Sequence, residues 1–213
     1  MLKLFLIIFV TTEQIFSQIF VSKNLDDGIE FVSSFIISEE FAKIRMNNSD
    51  LESIDSLYFR TLKFYENDYS EALLALTLGT LPYFEMPLSI PIINTILKIP
   101  LPTPEKNIAL KIKNLPSHFL INSPKEIFGD KDKLAHFFGN AFLAYSIPFI
   151  NVSEFFSIFV EKFEEAFKVE GAFDKRDIFV NSLGKKFGKQ LKVNSSVLPS
   201  NFLVNNNMET YEK

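Results

Sequence analysis

The sequence predicts a mostly α-helical protein: a helical C-terminal core, an N-terminal helical part, and a proline-rich extended segment between them. Three observations predict it. Apolar residues recur at helical spacing over long stretches of the 213 residues. Ser49-Asp50-Leu51-Glu52 has the form of a capping box that opens a helix. Six of the ten prolines crowd between positions 82 and 104, where they forbid a long helix. At 47% hydrophobic residues the chain can bury a sizeable core and is not disordered.

The N-terminus is expected to carry an export address. Lys3 precedes the apolar run Leu4 to Val10, and the small Ser17 sits at a cleavage position. A charged start, a short apolar middle and a small residue are the parts of a secretory signal peptide, which is expected over 1–17 and is too short to span a bilayer; an ordinary N-terminal strand or helix is the alternative. An N-terminal helical region over 18–81 follows. Phe31, Val32, Phe35, Ile36, Ala42 and Met46 share one arc, and Leu51, Ile54, Leu57, Tyr58 and Tyr65 share another. A further helix is expected from Ser70 to Leu81. The connector over 82–128 is expected to be extended, with an edge hairpin around Asn94; a re-entrant membrane segment is the alternative. A helical core over 129–193 and a disordered tail over 194–213, with its run Asn205-Asn206-Asn207, complete the chain.

Composition excludes several function classes. With 22 basic and 26 acidic groups, the net charge of -4 speaks against nucleic acid as a partner. The absence of cysteine removes disulfides, thiolate metal sites, a cysteine nucleophile and a lipid anchor on cysteine. Two histidines leave little room for zinc, and no Walker loop or dinucleotide-binding glycine pattern occurs, so neither metal nor cofactor is expected. Twenty-five Phe against three Arg is the bias of an AT-rich coding sequence, and the Phe excess reads as core filling.

The informative stretch is Gly129-Asp130-Lys131-Asp132-Lys133-Leu134-Ala135-His136-Phe137-Phe138-Gly139-Asn140. On a helix starting near Asp132, the residues Asp132, Lys133, His136 and Asn140 form one polar stripe on an otherwise apolar cylinder. Buried polar groups need partners, so another element must present them. Asp177, Asn181, Gly184 and Gly188, spaced +4, +7 and +11, supply such a line on a second helix. Gly184 and Gly188 admit a close helix approach, and Ala135 and Gly139 repeat the spacing on the first helix. The helix expected at 154–168 sets Phe155, Phe156, Phe159, Val160, Phe163 and Phe167 against Glu154, Glu161, Lys162, Glu164, Glu165 and Lys168, so it lies on a core or a membrane surface and does not cross a bilayer.

Asp132-Lys133-x-x-His136-Phe137, an acidic helix, then Asp177-x-x-x-Asn181-x-x-Gly184-x-x-x-Gly188 resembles the VanZ-like family, and equally the YfiM-like periplasmic lipoproteins, over residues 129 to 191. The resemblance implies an envelope protein of largely undefined activity. The sequence departs from both patterns: Glu161, Glu164 and Glu165 fall on a charged, non-spanning face, Arg176 alone stands near the position of a family arginine, and no lipoprotein cysteine is present.

Three functions remain open from the residues. The favoured one is an exported, non-enzymatic envelope protein whose stripe is structural or binds a small polar group through Lys133, Asn140, Glu161, Glu165 and Asn181. A hydrolase or transferase acting on an envelope substrate would use His136, Asp132 and Asp177, with His136 as general base. An integral membrane protein would place the uncharged run 134–153 across the bilayer, against which His136, Asn140 and Pro148 argue. Peripheral membrane or envelope association is left open by Lys185, Lys186 and Lys189, which are expected on a solvated face. His118, in Pro116-Ser117-His118-Phe119, is expected in a loop.

Overall fold

In the computed structural model, residues 23–90, 95–101, 103, 105–146 and 175–203 are described. The expected signal peptide, the Phe-rich helix with Glu161 and Glu165, the turn at Pro148 and residues 204–213 lie outside them.

Ser38 starts the departures from simple periodicity. Helix α1 (Lys23–Ile37) ends there, and Ser38 turns extended and caps α2 (Glu39–Asn47), its hydroxyl accepting from the Phe41 N–H at 3.1 Å. The break shifts the helical phase. Val32, Phe35 and Ile36 stay buried as expected, Phe41 enters the core, and Met46 is turned out to 83% exposure. A single arc from Phe31 to Met46 does not exist because Ser38 cuts it.

Helix α3 (Asp50–Phe64) opens with the expected capping box: Ser49 Oγ accepts from the Glu52 N–H, and the Glu52 carboxylate accepts from the Ser49 N–H. Ile54, Leu57 and Tyr58 face the core. Asp68 caps α4 (Tyr69–Gly79), an almost wholly apolar helix buried along most of its length.

The proline-rich segment divides into two parts. Strands β1 (Glu85–Ile90) and β2 (Thr95–Pro100) pair antiparallel, Glu85 opposite Pro100 and Pro87 opposite Lys98. Proline is tolerated because each strand of a two-stranded sheet has an open edge. Past the last clustered proline the chain is helical again, in α5 (Glu105–Asn114). The expectation of an extended connector to 128 is corrected here: ten residues free of proline follow Pro104, with Glu105 in the first turn and the exposed Lys113 in the last, a favourable arrangement along the helix dipole.

Helices α6 (Lys133–Ser146) and α7 (Lys175–Leu191) form the most extensive helix pair among the described residues. They run parallel, since Lys133 meets Asp177, Asn140 meets Asn181 and Ala141 meets Gly188. Helix α4 packs on α6 and on α1, which joins the two halves through one core. That core takes up phenylalanine: the rings of Phe137 and Phe187 stack at 5.4 Å, and Tyr58 meets Phe187 edge-on. The tail expected to be disordered from 194 is ordered in part. Residues 194–203 lead into α8 (Ser200–Leu203), which packs on α3 and α7, buries Leu203 and takes an N–H bond from Ser200 to Asp55.

No helix of the described residues is long and apolar enough to cross a membrane.

Candidate functional site

The site forms where two helix N-termini lie side by side. Asp132 precedes α6 and Asp177 stands in the first turn of α7, so both carboxylates meet the positive ends of parallel helix dipoles. Lys133 lies between them, its Nζ 2.5 Å from Asp132 Oδ2 and 2.6 Å from Asp177 Oδ1. The lysine side chain is only 5% exposed, whereas Asp132 and Asp177 are 18% and 29% exposed. A buried cation is thus roofed by two carboxylates that reach solvent.

One turn further on, His136 Nε2 lies 3.9 Å from Asp177 Oδ1, and its Nδ1 is 3.2 Å from Asn181 Oδ1. Asn140 donates to the same Asn181 oxygen at 2.8 Å and to the His136 carbonyl at 3.0 Å. Burial pushes the His136 pKa below its ordinary value; Asp177 and Asp132 pull it back up, and Lys133 pushes it further down. Burial also works against the charge on Lys133, but the two carboxylates outweigh it and hold the ammonium above the usual lysine range.

Glycine makes the approach feasible. A Cβ on Gly184 would lie 2.1 Å from the Phe137 carbonyl oxygen, and one on Gly188 would lie 2.2 Å from that of Ala141. The α6 face meeting α7 is therefore Lys133, His136, Phe137, Asn140 and Ala141. Gly139, expected on that face, is about 120° round the helix from it, because the residues in contact follow the polar stripe and not the Ala135–Gly139 line.

The sequence reading missed Asp130 as a site residue. Fully buried, its carboxylate accepts from the Phe119 and Leu120 N–H groups at 3.2 and 3.1 Å, from the Ser123 hydroxyl, and from Arg176 at 2.9 Å. It clasps the 117–123 loop and ties it to α7. The signal was present in Gly129-Asp130: Gly129 has φ +56°, and a Cβ there would meet the Ser117 carbonyl at 1.9 Å. Asp50 does similar work on the other side, accepting from the Ser117 and His118 N–H groups at 2.6 Å and from Arg45. His118 is in this loop, as expected, and stands apart from the His136 cluster.

Asp132, His136 and Asp177 offer ligand atoms all within 4.8 Å of one another. An oxygen-rich set of this kind suits Mg or Mn, yet the Lys133 ammonium already bridges its two carboxylates. An open cavity of about 770 Å³ lined by Phe59, Arg60, Lys63, Asn67 and Tyr69 includes none of these residues.

No known family, curated protein or solved structure matches the chain. The chemistry of the site must therefore be read from its own geometry.

Proposed function

We propose that the chain is an exported, non-enzymatic protein of the bacterial cell envelope, in which the polar stripe of α6 and α7 is a lock that fixes the register of two parallel helices. The observation that carries this reading is the position of Lys133. Its ammonium sits within 2.6 Å of both carboxylates in a nearly closed site, so the charge that a metal or reaction would use is matched within the protein. His136 is held neutral by burial and is oriented by Asn181. The envelope address rests on the leader pattern of 1–17 and on the likeness of 129–191 to VanZ-like and YfiM-like proteins. A small polar group would bind at the exposed rim of Asp132 and Asp177.

A second reading, a divalent-metal hydrolase or transferase, is favoured by the convergence of Asp132, His136 and Asp177. Thermal unfolding with Mg²⁺, Mn²⁺ or Zn²⁺ and with chelator separates the two. The lock expects a Tm independent of all of them. A Tm raised by metal in the wild type and unmoved in His136→Asn would establish the metal reading instead. Fractionation with a carbonate wash, and N-terminal sequencing of the mature protein, test the address. A mature chain beginning at Met1, or a carbonate-resistant membrane form, would overturn it.

A further inference from the structure

Lys111 is fully buried, on the inner face of α5. Its Nζ donates to Ser33 Oγ on α1 at 3.2 Å and to Thr103 Oγ1, in the link from the hairpin to α5, at 3.1 Å. Ser33 in turn donates to the carbonyl of Gly79 at the end of α4, at 3.4 Å. One amine therefore ties three segments together: α1, the C-terminal end of α4, and the chain that leaves the hairpin.

Among the described residues no carboxylate is hydrogen-bonded or ion-paired to this amine. Of the described charged side chains on the surrounding elements, Asp26, Asp27 and Glu30 on α1, Glu39, Glu40 and Lys43 on α2, and Glu105, Lys106 and Lys113 on α5 are exposed. Glu85, half-buried at the start of β1, makes no bond to Lys111. Helix α4 carries Glu71 alone, in its first turn, at the opposite end from Gly79. Arg45 of α2 reaches α5 at the Asn114 carbonyl, 3.1 Å away, and is itself engaged by Asp50. Two acceptors match the two N–H groups of a neutral amine, whereas an ammonium has a third. A buried charge without a counter-ion is costly, so the neutral form is the one this niche fits.

We propose that Lys111 is a proton-operated latch: in its neutral form it holds the hairpin link and α5 against α1 and α4, and proton uptake at Nζ releases them. Burial brings the Lys111 amine down to about 7, against an ordinary lysine near 10.4 in the released segment. The released form binds the proton throughout that interval and the closed form does not. Closure is therefore strongest at high pH, weakens as pH falls toward about 7, and levels off below it.

Rapid-quench amide exchange on the full chain, expressed as protection factors for α5 and for the amides of 101 and 103, tests the latch. Between pH 9.5 and 7 the wild type should lose protection there by up to about tenfold per pH unit, with little further change below 7. Lys111→Met should make that protection independent of pH and higher than wild type at pH 7. Thr103→Asp supplies a counter-ion, keeps the ammonium stable when closed, and should remove the same dependence even if Lys111→Met fails to fold. A flat wild-type profile overturns the proposal. So does a wild-type slope that persists in either folded variant.

Discussion

Lys133 Nζ lies 2.6 Å from Asp177 Oδ1, and this contact joins the first turns of two helices that run parallel, not antiparallel. Parallel neighbours bring two positive dipole ends together, and the pair of carboxylates flanking Lys133 offsets them.

Removing the lysine should therefore cost more than removing a carboxylate. Lys133→Met leaves Asp132 and Asp177 facing each other without a cation, and should lower stability by about 3–5 kcal/mol. Urea unfolding should show the loss strongly reduced when Asp177→Asn is added. Additive losses would mean that the two side chains do not act as a pair.

The close approach of α6 and α7 predicts a reversal of helix propensity. Alanine is the better helix former by about 1 kcal/mol, yet Gly184→Ala and Gly188→Ala each place a Cβ near 2 Å from a carbonyl oxygen of α6. Both should destabilise by about 1–3 kcal/mol or more. Gln190→Ala, on the exposed face, should stay within about ±0.5 kcal/mol.

For His136 the sign follows from a depressed folded pKa. The native state binds the proton less readily than the unfolded chain, whose histidine titrates near 6.5. The stabilising contribution is present above about pH 6.5 and is lost as pH falls toward the folded value. Urea midpoints measured from pH 7.5 to 4.5 should decline less steeply in His136→Asn than in wild type. Equal slopes would mean that the imidazole stays out of the acid transition.

Asp130 should behave as a clasp. Asp130→Ala strands two backbone N–H groups and Arg176, and should cost about 3–5 kcal/mol. Arg176→Lys keeps the charge but loses the planar fork, so a smaller loss is expected. Amide exchange of 119–123 should rise in Asp130→Ala well before exchange in α4; uniform protection would contradict the clasp.

The pattern of residues was sufficient where a single local rule applied. The capping box at Ser49 and Glu52 appears as read, and Ile54, Leu57 and Tyr58 are buried on the arc that helical spacing draws. Pairing of the two polar stripes was also legible, because buried polar groups demand partners and few others were on offer. Where one residue decides between two continuations, local reading failed. Ser38 cut an arc that looked continuous, and proline density up to 104 masked a helix just beyond it.

The sequence by itself determined the helical class, the hairpin zone and the residues that had to be buried together, because periodicity and proline chemistry are local. Tertiary structure alone decided the rest. It set α6 and α7 parallel, put Lys133 between two carboxylates, turned Gly139 off the contact face, drew Asp130 into the loop, and sealed Lys111 among hydroxyls. Each of these depends on which backbone lies opposite at a few ångströms. Side-chain spacing along one chain carries no record of that distance.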